Sequence, residues 1–232
     1  MTITKSSVRA LITTRGVAEE AQLSKRWQRS GAVVALAWGA MTLLGVVTLG
    51  ASVGAHGILQ QLMQNISPHW RVVLGEFFSA YGSWWGIGAA WGTLLVLTRG
   101  RLRRTVVASG LVVVGVVVSG WIMKEFFGVP RPSDMLVGED GFRYPSLHAA
   151  AAAGLWGSVA FAVWRQGYKS SRALALVLFV IIAVVGIGRM LLGVHYPVDV
   201  VGGILLAAGW ITLVFRYLDS TSCSRRGGRV SQ

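Results

Sequence analysis

The chain has 232 residues, of which 53% are hydrophobic and 13% charged, with a mean hydropathy of +0.59 and a formal net charge of +13. This composition excludes an ordinary soluble domain and matches a polytopic membrane protein. A single cysteine, Cys223, excludes a disulfide framework and a thiolate metal cluster. The basic residues sit in short clusters between apolar runs, which fits membrane topology and argues against a nucleic-acid-binding face.

Residues 1–30 carry Arg9, Arg15, Lys25, Arg26 and Arg29 among scattered Leu, Ile and Trp, and read as a cytoplasmic lead-in, with an amphipathic surface helix as one form of it. A cleaved signal peptide is disfavoured, because the apolar run from residue 31 is longer than a typical h-region and no clear A-x-A site follows it. Six apolar runs follow, roughly 31–53, 77–98, 106–123, 147–164, 173–192 and 198–215. Each is near or somewhat below the ~20 residues a bilayer requires. The expectation is an all-α fold: a six-helix transmembrane bundle over 31–215 with short loops, then a basic cytoplasmic tail at 216–232. Glycine, at 30 residues, and small-residue stretches such as "GGILLAAG" at 202–209 suit close helix packing in lipid.

Charge sets the orientation. With the N-terminus inside, Lys and Arg number six in 1–30, four in 99–105, three in 165–172 and four in 216–232, all cytoplasmic. The other five are Arg71, Lys124, Arg131, Arg143 and Arg189. The positive-inside rule thus places both termini in the cytoplasm. Four of the five outer cations nevertheless fall between 124 and 189, beside His148 and His195. Topology does not account for them; an anion on that side would.

Three stretches carry these residues. In "KEFFGVPRP", Lys124 ends the third run and Arg131 follows after a Gly128–Pro130 break and before Pro132, so that it is held at a turn. The two cations suit a phosphate clamp, and equally suit two interfacial anchors reaching for head groups. In "YPSLHAA", Pro145–Ser146 before an alanine run marks a helix start with Ser146 at the N-cap. The free first-turn N–H groups at Leu147 to Ala149 would form an anion site beside His148; an ordinary capped helix with an incidental histidine is the other reading. In "RMLLGVHYPVD", Arg189, His195 and Asp199 lie at the junction of two apolar runs. The i,i+4 spacing lets Asp199 reach the His195 imidazole, provided that the helix begins near His195. Such a pair serves a nucleophile or merely staples two helices, and an Arg, a His and an Asp at a membrane edge exceed what a staple needs.

Together the stretches resemble the signature of the type 2 phosphatidic acid phosphatase superfamily, K-x6-RP, then PSGH, then SR-x5-H-x3-D. Lys124, Arg131 and Pro132 match the first; Pro145, Ser146 and His148 match the second; Arg189, His195 and Asp199 match the third. Leu147 stands where the family has glycine, and Gly188 where it usually has serine. A leucine there would crowd the phosphate or close one side of the pocket, and the missing serine removes one possible phosphate hydrogen bond.

The resemblance implies an integral membrane lipid phosphatase, with catalytic His195, His148 and Asp199 and a phosphate cradle of Lys124, Arg131, Ser146, Leu147 and Arg189. His195 would attack phosphorus to form a phosphohistidine, Asp199 would orient it, and His148 would protonate the leaving oxygen. It implies no metal and no cofactor, and an active site at the periplasmic face of a bacterial-type inner membrane. The partner would be a lipid phosphate in the bilayer: undecaprenyl diphosphate, phosphatidylglycerol phosphate, phosphatidic acid or a lipid A type. Vanadium haloperoxidases share the signature, but they are soluble. A lipid phosphotransferase and a non-catalytic lipid-phosphate binder stay open. Outside the signature, Arg143 reads as a surface residue in preference to a second phosphate ligand, and Glu139 and Asp140 as solvated loop acids in preference to a metal site.

Overall fold

Apolar runs this long can satisfy their backbone groups in lipid only by forming helices, and the computed structural model, which describes residues 5–50, 62–165 and 169–227, holds helices and no strand among those residues. Residues 51–53 of the first expected run and 228–232 of the basic tail lie outside them, as do the side chains of Arg9, Arg15 and Arg26. The helices are α1 (Lys5–Gly50), α2 (Pro68–Ser79), α3 (Trp84–Leu97), α4 (Gly100–Phe127), α5 (Leu147–Trp164, with a π turn at Ala153–Gly157), α6 (Lys169–Leu191) and α7 (Pro197–Gly227).

Among the described residues, five stretches are long and apolar enough to cross a membrane: Gln28–Leu49, Leu102–Phe127, Leu147–Trp164, Lys169–Leu191 and Pro197–Ser220. The expected run 77–98 is different. It straddles the end of α2, a 3-10 turn at Ala80–Gly82 and the start of α3, a helix of 14 residues. Ser83 makes the break. Its backbone is extended, its Oγ accepts from Gly86 N at 3.1 Å, and the hydroxyl donates to Ala80 O at 2.8 Å, so a new helix starts there without any loss of hydropathy. The N-terminal lead-in from Lys5 is continuous with the first apolar run in one helix of 46 residues.

The core gathers Met41 from α1, Val112 and Val116 from α4, Ala150 and Ala153 from α5, Ile182 from α6, and Leu206 and Ala207 from α7. Small residues bring the helices together. Trp38 lies over Gly209 and donates from Nε1 to Leu206 O at 3.4 Å, while Trp210 covers Gly115 and donates to Ser119 Oγ at 3.0 Å. The Tyr144 hydroxyl donates to Met41 O, tying the segment before α5 to α1. Outside the bundle, large apolar side chains such as Leu36, Trp85, Val96, Trp121 and Phe126 face outward, the surface that lipid covers. Charged side chains gather in one cluster around the signature stretches.

Candidate active site

The cluster is built where α4, α5, α6 and α7 end or begin. Helix α4 stops at Gly128, whose φ of 57° only a residue without Cβ adopts cheaply, and whose N–H closes the last turn onto Lys124 O at 2.9 Å. The chain then turns through Pro130–Arg131–Pro132. Backbone bonds hold the signature stretches in register: Arg143 N donates to Val129 O at 2.9 Å, Ser146 N to Asp199 O at 3.0 Å and Leu136 N to Leu192 O at 3.0 Å. Arg71 of α2 is buried and donates from Nε to Leu191 O at 3.1 Å, bracing the turn that leads to His195.

The three cations expected to hold phosphate converge on one short segment. Arg131 pairs with Glu139 at 3.2 Å and donates further to the carbonyls of Asp140, Gly141 and Val194. Arg189 pairs with the other oxygen of the same carboxylate. Lys124 Nζ donates to Phe142 O. Residues 139–142 therefore give each of the three cations a partner, while Arg189 Nε stays buried without one. Burial works to raise the Glu139 carboxyl, but the Arg189 and Arg131 guanidiniums outweigh it and hold it below the usual carboxylate range. His148, the second residue of α5, lies within electrostatic reach of Arg189, Glu139, His195 and Lys124.

His195 sits in the turn between α6 and α7 and is 1% exposed. Its Nδ1 lies 3.5 Å from Asp199 Oδ2, beyond a well-formed hydrogen bond, and makes no other hydrogen bond. Burial pushes the imidazole down to about 4, against the opposing pull of Asp199, so the ring is neutral at pH 7. The expected i,i+4 bond is thus stretched, and the cause is local. Helix α7 begins at Pro197, not at His195, and Asp199 at its third position turns Oδ2 back to Tyr196 N at 2.7 Å, a capping arrangement.

Three expectations need correction. Ser146 occupies the N-cap position, yet its side chain makes no cap bond; Oγ is buried without a partner. Arg143 is not a surface residue. It is 5% exposed, donates from Nη1 to Asp199 Oδ1 at 2.5 Å and from Nε to Pro130 O at 3.0 Å, and lays its guanidinium 4.7 Å from the Tyr196 ring centroid. Glu139 is not a solvated loop acid either, since it bridges Arg131 and Arg189, whereas Asp140 is exposed and gives only its carbonyl. The gathering of Lys124, Arg131, Arg143 and Arg189 in one part of the sequence was the one signal for Arg143 and for an acid to pair with them. Among the described residues no group of three or more His, Cys, Asp and Glu side chains is placed to hold a metal ion.

Both departures from the family pattern have a packing explanation. The Leu147 side chain lies against Gly120 of α4, where a Cβ would stand 2.5 Å from its Cδ2, so leucine fills a helix interface. At Gly188 a Cβ would stand 2.8 Å from Phe78 Cβ and 2.9 Å from both Gly75 O and Ser79 N. Helix α2 presses its backbone onto α6 there, and a serine does not fit.

A family model described as PAP2 superfamily matches residues 35–222. Among solved structures, the chain is similar to the first transmembrane PAP2 type phosphatidylglycerolphosphate phosphatase from Bacillus subtilis, with a TM-score of 0.62 and 21% identity, covering 79% of this chain and 96% of that one. Comparison with curated proteins gives no match.

Proposed function

The chain belongs to the PAP2 superfamily, and from that premise we propose that it is an integral membrane lipid phosphatase that hydrolyses a phosphate monoester or diphosphate at the outer face of the inner membrane. The observation that carries the reading is the convergence of Arg131 and Arg189 on the Glu139 carboxylate, with Lys124 on the Phe142 carbonyl of the same segment, beside His148 and the buried, neutral His195. Cations already paired with an internal anion are arranged to receive a phosphoryl group in its place.

In this reading the His195 nitrogen remote from Asp199 attacks phosphorus in line. The new N–P bond forms as the P–O bond to the leaving lipid oxygen breaks. Protonated His148 gives its proton to that oxygen, then takes one from the water that cleaves the phosphohistidine; such acid–base help is typically worth ~10²–10⁴ in rate. Lys124, Arg131 and Arg189, with the first-turn N–H groups after Ser146, hold the equatorial oxygens where transition-state charge spreads. With that charge supplied by side chains, the step asks for no metal. Both termini are cytoplasmic in this scheme, as the distribution of Lys and Arg requires.

The test is phosphate release by the purified chain in detergent with EDTA from a panel of lipid phosphates and diphosphates, beside His195→Ala. Metal-independent release that falls at least about 10³-fold on substitution is expected for a lost nucleophile. No release from any lipid by either protein would overturn the hydrolase and leave the phosphotransferase or the binder.

A further inference from the structure

Asp199 is 0% exposed and Arg143 5%, so this charge pair has no water to share it. The two carboxylate oxygens are divided. Oδ1 takes Arg143 Nη1 at 2.5 Å; Oδ2 takes Tyr196 N at 2.7 Å and meets His195 Nδ1 only at 3.5 Å. A charge-assisted bond of that length is far stronger than a contact at 3.5 Å, so the permanent cation has first claim on the carboxylate. Arg143 is itself fixed from three sides. Its backbone N–H is bonded to Val129, its Nε to Pro130, and its guanidinium packs on Tyr196, the residue after His195. Val129 and Pro130 lead directly into Arg131. One side chain therefore joins the turn that carries a phosphate-holding arginine to the carboxylate facing the nucleophile, across a separation of 56 residues.

We propose that Arg143 is a positioning residue of the reaction: it holds Asp199 by Oδ1, so that His195 feels a divided carboxylate, and it sets the Arg131 turn in register with His195. The proposal rests on the reading of His195 as the nucleophile. Its logic is that a buried carboxylate shared with a fixed cation can orient an imidazole without drawing a proton onto it, and an unprotonated imidazole is what attack requires. The charged and titratable groups that face His195 are Asp199 from α7, Arg189 from α6, Lys124 from α4 and His148 from α5. Arg131 reaches the same turn through the carbonyl of Val194. Of these, Asp199 alone is anionic, so its partner decides how much negative charge the ring feels.

Two readouts on the full-length chain in detergent separate a positioning role from a merely structural one: the pH profile of kcat/KM, and the titration of His195 followed by NMR of labelled histidine. In Arg143→Gln the undivided charge of Asp199 falls on His195 and favours the imidazolium. The His195 midpoint and the acid limb of kcat/KM should both rise by about one pH unit. The loss should fall mainly on kcat, about 10²-fold, because the backbone bond of residue 143 to Val129 still holds the Arg131 turn close to its place while Asp199 loses its partner. Arg143→Lys, which keeps the charge and loses the fork, should leave the limb where it is and recover part of kcat. If Arg143→Gln does not fold, the double variant Arg143→Gln with Asp199→Asn removes both buried charges; its His195 midpoint should then lie at or below that of the wild type. An unmoved His195 midpoint in Arg143→Gln, or one that rises in the double variant, overturns the proposal. The NMR titration needs no turnover, so a wild type that releases no phosphate counts against the phosphatase reading alone.

Discussion

Two ion pairs of the same chemistry stand at opposite ends of the bundle. Arg165–Asp219 spans 3.2 Å with its side chains 52% and 45% exposed; Arg143–Asp199 spans 2.5 Å with its side chains 6% and 0% exposed. The first joins the end of α5 to the C-terminal part of α7. The second lies under the signature turns. What separates them is the solvent. At an exposed pair water screens both charges and the attraction nets to little, whereas a buried pair cannot lose one member without stranding the other. Basic residues at the Arg165 end serve as a charge total, and those under the signature turns as individually placed groups.

Asp199→Ala tests the comparison where the effect is largest. It strands Arg143 in the interior and should lower stability by about 3–5 kcal/mol, read as the shift of the thermal midpoint in detergent. A loss under about 1 kcal/mol would make the two pairs equivalent and break the contrast. Glu139→Gln comes next, because it releases both Arg131 and Arg189 from an internal anion. Inorganic phosphate should then bind about tenfold more tightly, measured by calorimetry, since a charge-assisted partner no longer competes for the guanidiniums. Unchanged or weaker phosphate binding would mean that the two arginines are not the seat of the anion. The smallest effect is expected for Arg165→Ala: at most about 1 kcal/mol, vanishing in high salt, with kcat untouched.

The same contrast sorts what the amino-acid order discloses. Length and hydropathy mark out α5, α6 and the start of α7 within a few residues, because lipid selects for long apolar runs and their ends are polar. The break at Ser83 is invisible in that signal, for a serine and a glycine can end a helix without interrupting apolarity. At the site, Lys124, Arg131, His148, Arg189, His195 and Asp199 are legible because fixed spacings carry them. Arg143 and Glu139 are not, since each finds one decisive partner, Asp199 and Arg189, across 56 and 50 residues of chain, and no local pattern encodes that distance. The stretched contact of His195 with Asp199 was hidden for another reason. It depends on where α7 starts, and a shift of two residues moves the carboxylate from the imidazole to the Tyr196 amide.

The crossing of α2 and α6 at Gly75 and Gly188 bears on how this pocket can change. A hydroxyl cannot be introduced at position 188 alone, because any side chain there meets the backbone of α2. Helix α2 would first have to draw back, and Arg71, which braces the His195 turn from that helix, would move with it. The shape of the pocket wall at position 188 is therefore set by a helix that carries none of the signature residues.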